Sequence, residues 1–391
     1  MKKTLAALAV LGAFAGTSMA ADVTLYGRID TGVFYSNADT YTETAATYND
    51  DAAKTLKKDG SFAYGEAKKA SMEAGWSTGS RWGLKGTEDL GNGMKVGFVL
   101  ESGFSGDDGS FGDSTRLFNR EATLNVGGDF GTFYFGRMNT LTSDGGSMAL
   151  AGNMSAIGNA MGVLSMKNST GSTYGRYDNL IGYVSPNFGG FQISAQYYMG
   201  QKGEDENKAT SNRFAAIGAK YAAGPLTLVA MADYSVWGHK AGVDIDNGVT
   251  AQIGGNYDFG VAQVFAKAAY FDNMKASGVL EKTFYTLTKE VVINSTGEKG
   301  SAEDLVKGYG VELGTKVPVL GGTAFGAVSY RETKFADDGD DKLKRFGVGV
   351  GYSYAFSKRT NVYTSIGYAQ EKDDETKLKA YQGGVGLVHK F

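Results

Sequence analysis

From Phe346 to Tyr354 the chain alternates strictly. Phe346, Val348, Val350, Tyr352 and Tyr354 fall on one face, and Gly347, Gly349, Gly351 and Ser353 on the other. The final segment repeats the pattern, with Tyr381, Gly383, Val385, Leu387, His389 and Phe391 against Gln382, Gly384, Gly386, Val388 and Lys390. Phe191, Ile193, Ala195 and Tyr197 oppose Gln192, Ser194 and Gln196, and Val249, Ala251, Ile253 and Tyr257 oppose Thr250, Gln252, Asn256 and Asp258. A period of two is the signature of strands with one apolar and one polar face. Sixteen such runs are predicted, starting near Val23, Arg81, Met94, Thr115, Thr132, Arg176, Gly190, Arg213, Leu226, Val249, Val261, Val306, Thr323, Leu343, Asn361 and Ala380.

The links between the runs alternate short and long. The short ones carry Gly, Asn or Pro, as in Asp89–Gly93, Gly127–Gly131, Ser185–Gly189, Ala223–Pro225, Phe259–Gly260, Pro318–Gly322 and Phe356–Arg359. They read as tight hairpin turns. The long ones cover roughly 37–79, 104–114, 138–175, 200–212, 236–248, 273–305, 334–342 and 372–379. An antiparallel up-and-down meander with every long loop at one end explains the alternation. One face is Val, Leu, Ile, Phe and Tyr, whereas the other is Gly, Ser, Gln, Thr, Lys and Glu, which would pack badly as a soluble core. Sixteen strands closed into a cylinder put the polar face on a water-filled lumen and the apolar face on lipid. Closure also removes the sheet edges that hydrocarbon cannot tolerate. The predicted fold is therefore all-β, a transmembrane barrel, with Tyr26, Tyr221, Tyr257, Tyr330, Tyr354 and Phe391 as candidate interfacial girdle residues.

Composition narrows the function classes. The chain of 391 residues has 58 Gly, 3 Pro and no Cys. Disulfides, thiolate nucleophiles and Cys-held metals are excluded. Only His239 and His389 remain for imidazole chemistry, with no nucleophile elbow to serve them. A formal charge of −3 argues against a nucleic-acid binder. Lys2 and Lys3, the apolar run Leu5–Phe14 and Ser18-Met19-Ala20 read as a signal peptide cleaved after Ala20, leaving one barrel domain over 21–391. Gly347–Gly351 lacks the spacing of a nucleotide loop, and Asp244, Asp246, Gly106–Gly109 and Asp337–Asp341 lack the remaining ligands of a calcium loop. Lumen glycines and solvated loops account for them. No cofactor or catalytic residue is expected.

The link 138–175 differs from the rest. Between Met138 and Met166 it holds one charge, Asp144, and it is rich in Ala, Gly and Met. Long loops in compact proteins are usually functional. An apolar loop of this length is best placed inside the barrel mouth, where it narrows the lumen.

The chain also resembles the sixteen-stranded general porins of the Gram-negative outer membrane, in particular the beta-proteobacterial type. The matching stretches are Val23–Gly27, Trp82–Gly93, Asn119-Arg120-Glu121-Ala122, Gly131-Thr132 leading to Phe135-Gly136-Arg137, Tyr183-Val184-Ser185-Pro186 and the terminal Phe391. The resemblance implies a homotrimer in outer-membrane lipid and lipopolysaccharide, with a third external loop folded inward as a constriction. It implies passive diffusion of ions and small hydrophilic solutes, and a terminal Phe391 read by the insertion machinery. Strand parity puts Arg28, Arg81 and Lys85 on the polar face. The family's pattern adds Arg116, Arg120 and Arg137 to the wall and Asp144 to the loop. Parity sets Arg120 with Ala122 and Leu124, and Arg137 with Phe133 and Phe135, so those two require a twist or bulge to reach the lumen. A wall richer in Arg than the loop is in acid suggests mild anion preference. Rival readings are a substrate-selective channel of the same fold, an outer-membrane barrel enzyme, and a soluble secreted β-protein with a binding role.

Overall fold

The alternating runs become strands. The computed structural model describes residues 23–43, 62–158, 161–165, 169, 175–200, 211–237, 246–275, 305–335, 342–372 and 377–391. The signal segment, His239 and the acidic run 337–341 lie outside the described residues. Seventeen strand segments form one antiparallel sheet. They are β1 (Thr24–Glu43), β2 (Phe62–Ala74), β3 (Arg81–Gly91), β4 (Met94–Gly103), β5 (Glu121–Gly128) and β6 (Gly131–Asn139). Next come β7 (Arg176–Val184), β8 (Phe191–Tyr198), β9 (Arg213–Ala223), β10 (Leu226–Val236), β11 (Gly248–Asp258) and β12 (Gln263–Lys275). The last are β13 (Leu305–Val319), β14 (Gly322–Phe335), β15 (Leu343–Ala355), β16 (Thr360–Lys372) and β17 (Lys377–Lys390). From β3 to β17 each strand pairs with its sequence neighbour, β1 pairs with both β2 and β3, and β1 also pairs with β17, so the sheet closes.

Two segments make one stave. β1 pairs with β2 from Thr31 to Glu43 and with β3 from Thr24 to Arg28. The barrel is therefore sixteen-stranded, its second strand interrupted by the turn Gly75–Ser80. This corrects the expected link 37–79: β1 runs on to Glu43, and 62–74 is strand. The start expected near Thr115 is also displaced, because β5 begins at Glu121.

Burial follows the period. Along β10, Val229, Met231, Asp233 and Ser235 are buried while Leu228, Ala230, Ala232 and Tyr234 are exposed. The exposed face is the oily one: Ile253 is 63%, Ile366 64% and Val350 52% accessible. Conversely, Arg331, Glu312 and Glu371 are all at most 2% accessible. A soluble protein would place these two sets the other way round. Lipid outside and polar groups inside is the arrangement of a membrane barrel.

Within the described residues of the 138–175 link, those from Met138 to Met154 pack against buried residues of β7 to β10. Met138, Leu141, Met148, Leu150, Ala151 and Met154 form one buried cluster with Leu180, Tyr198, Phe214, Val229 and Met231. The wall residues of that cluster are apolar, as are the loop residues that pack on them. Leu141 N donates to Gln196 Oε1 at 2.9 Å, and Asn256 Nδ2 donates to Asn153 O at 2.7 Å.

Candidate functional site

Among the described residues, two clusters of inward-facing charges stand out. The first is a basic patch on β1, β3 and the segment before β5. Arg28 and Arg81 are directly opposite in register. Arg28 is flanked on its other side by Lys390. Arg120 Nε donates to Glu101 Oε1 at 2.6 Å, and Arg81 Nη1 lies 3.6 Å from the same oxygen. Tyr26 OH donates to Glu101 Oε2 at 3.1 Å. Tyr26 is thus an inward hydrogen-bond donor rather than a girdle residue. Lys85 is exposed, its Nζ 5.5 Å from the centre of the Tyr26 ring.

Arg120 reaches Glu101 because it precedes β5, so strand parity does not bind it. Arg137 behaves differently. It keeps the face of Phe133 and Phe135, opposite Tyr134 and Met138, which pack with the loop. The register irregularity here falls on β7, near Asn179 (φ 54°), and does not turn Arg137 inward. Arg137 Nη1 donates to Asp178 Oδ1 at 2.7 Å and its Nε to Asn119 O at 2.7 Å. Arg116 joins the same acid at 3.2 Å. It also holds Asp113 at 2.9 Å. Hydrogen bonds from the Thr115 hydroxyl and amide, with the Arg116 guanidinium, hold the Asp113 carboxyl down at about 2. Arg116 and Arg137 thus share Asp178, whereas Arg81 and Arg120 share Glu101. Asp144 is exposed and packs on Gly152 and Gly158 within its own loop. Glu101, on the wall, is the acid that meets Arg81 and Arg120.

The second place is a buried row on successive strands: Lys267, Glu312, Arg331, Arg345 and Glu371. Lys267 Nζ is 3.7 Å from Glu312 Oε2, and Arg345 Nη1 is 2.5 Å from Glu371 Oε1. The loop is tied to this row. Ser155 Oγ donates to Glu312 Oε1 at 2.5 Å, and Arg345 Nη2 donates to Val163 O at 3.2 Å. Lys267→Met should leave Glu312 buried without its cation, at a cost of roughly 3–5 kcal/mol. The expected result is a lower unfolding temperature on unheated gels; an unchanged one contradicts the pairing.

Phe391 ends the closing seam. Its N–H donates to Gly27 O at 3.1 Å, and its carbonyl accepts from Gly27 N at 3.0 Å. A side chain at Gly27 would strike the Phe391 ring, so the Val23–Gly27 motif and the chain terminus are one structural feature.

A Gram-negative porin family model matches residues 6–374. The chain belongs to that family. An outer membrane porin protein of Bordetella pertussis is 32% identical to this porin, with all of both chains covered. Outer membrane porin protein 32 of Delftia acidovorans is 31% identical over 98% of this chain and 95% of its own. Among solved structures, an anion-selective porin from Comamonas acidovorans superposes with a TM-score of 0.64 at 25% identity, covering 95% of this chain and 100% of that one. This porin is accordingly an outer-membrane channel protein for passive diffusion, and the soluble-protein reading falls. The family is one of channels rather than enzymes.

Sequence parity did not single out Lys390, although it lies on the polar face of the last strand. Its partner Arg28 is 362 positions away, so only closure of the barrel brings the two together.

Proposed function

We propose that this porin favours small anions and that the patch of Arg28, Arg81, Lys85, Arg120 and Lys390 carries the preference. The supporting observation is the register: three cationic side chains, Lys390, Arg28 and Arg81, sit side by side on adjoining strands, while Glu101 is the acid bonded to Arg81 and Arg120. Like charges placed directly opposite cost stability, so the row is retained for its field. Rings of charged side chains in a pore set which ions enter.

The 138–175 loop lies within the lumen and narrows it, and Asp144 belongs to its exposed edge. Its burial against Leu180, Phe214 and Val229 and its tie to Glu312 support this. Arg116 and Arg137 serve the outward rim with Asp178. Residues 1–20 are the export signal and 21–391 the single barrel domain. Phe391 is the assembly signal, in keeping with its place at the seam. The barrel works as a homotrimer in outer-membrane lipid and lipopolysaccharide, and needs no cofactor.

The test is the double variant Arg28→Gln, Arg81→Gln in planar bilayers under a KCl gradient. Its reversal potential should move toward the cation side relative to the parent. An unchanged reversal potential removes the assignment.

A further inference from the structure

The second stave breaks between β2 and β3, and six residues, Gly75–Ser80, stand opposite only Ile29 and Asp30 of β1. One residue holds this insert. Asp30 is fully buried, and four of its polar atoms are spent on holding it. Its carbonyl accepts from Gly75 N at 2.9 Å. Its N–H donates to Ser80 Oγ at 3.0 Å. Oδ2 accepts from the Ser77 and Thr78 amides at 2.8 and 2.7 Å, and Oδ1 accepts from Tyr363 OH at 2.7 Å. Two successive amides aimed at one carboxylate oxygen form an anion nest, here filled from within the protein. Trp76 stacks on Phe34 at 4.4 Å and fixes the insert from its other side.

The insert ends at the arginine pair. Arg28 Nη1 donates to Thr78 Oγ1 at 3.4 Å, and Arg81 Nη2 donates to the same oxygen at 3.0 Å. Arg81 Nε also donates to Gly79 O at 2.9 Å. A hydroxyl oxygen has two lone pairs, so it can accept from both cations. Two guanidinium groups on adjacent strands repel, and each long side chain has many rotamers. A shared acceptor counters both effects.

We infer that the Asp30-clamped insert is the positioning element for the lumen cations, with Thr78 Oγ1 as the atom that fixes Arg28 and Arg81. Asp30 and Thr78 act through the arginines and need not touch the permeating ion. The inference rests on the anion-preference reading, and its test separates the two.

Thr78→Val removes the acceptor at nearly constant volume, and Thr78→Ala removes it with less bulk should Val disturb folding. Thr78→Ser keeps it. Folding is read from the unheated band on gels. Reversal potential in a KCl gradient and open-channel current noise are then recorded for each variant and for Arg28→Gln, Arg81→Gln. Thr78→Val or Thr78→Ala should shift the reversal potential in the same direction as the arginine variant, by at least half as much, and raise the noise. Thr78→Ser should match the parent. Added to the arginine variant, Thr78→Val should produce no further shift. A parental reversal potential for the Val and Ala variants, beside a shifted arginine variant, overturns the positioning role. An unshifted arginine variant overturns the anion-preference reading and this inference with it.

Discussion

Val350→Arg should abolish or sharply reduce assembly, while Thr87→Arg should fold and alter conductance. Val350 is 52% accessible, on the same face as Phe346 and opposite Ile366 of the neighbouring strand. An Arg at the bilayer midplane costs roughly 2–4 kcal/mol on the lipid face of a barrel. A cost of that size is a substantial fraction of a marginally stable fold's reserve. Thr87 is also exposed, but parity sets it with Arg81 and Lys85, on water. The folded fraction of each, read by migration of unheated samples after refolding into detergent micelles or vesicles, decides the matter. Equal folding of both variants would contradict the assignment of faces.

Replacing residues 145–165 by a short Gly-Ser linker should raise single-channel conductance. The loop's described residues pack against Leu180, Phe214 and Val229 and bond to Glu312 and Arg345. Its removal also bares Leu180, Tyr198, Phe214, Val229 and Met231 to water. The shortened barrel should therefore be less stable as well as wider. Burying one such side chain is worth about 1.5–3 kcal/mol, so a lower unfolding temperature should accompany the larger current. A parental conductance in a folded, shortened barrel would remove the constriction.

The parts legible from sequence were those where one face met lipid and the other water along a whole strand. β10 and β15 show it: their alternation needed no tertiary knowledge. The apolar residues of the 138–175 link stood out by composition, and Met138, Leu141, Met148 and Met154 among them are buried. β2 was not legible. Its Glu66, Lys68, Lys69 and Glu73 form ion pairs, Lys68–Glu66 and Lys69–Glu73 each at 2.6 Å, and resemble a solvated loop. Glu66 and Lys68 share the outward face of that strand, where charge erases the period that lipid imposes elsewhere. The displaced start of β5 has a different cause. Leu117 and Phe118 give the link an apolar look, and Phe118 packs edge-on against Trp82 at 6.2 Å.

The candidate site was half legible. Parity alone placed Arg28, Arg81 and Lys85 together, because their strands are regular. Arg120 and Arg137 were ambiguous for the same reason in reverse. One lies just before its strand, and the other keeps the outward face beside an irregular partner. Nothing in the local sequence around Asp30 points to the Gly75–Ser80 insert or to Tyr363, which reaches it from 333 positions away. Such contacts exist only once the cylinder closes.

A closed barrel, oily outside, whose wet interior carries a cationic patch should conduct and should favour anions. Purified protein added to a planar bilayer under a KCl gradient tests it in one recording. The expected result is stepwise current increments with a reversal potential on the chloride side of zero. Electrical silence, or a reversal potential on the potassium side, would contradict it.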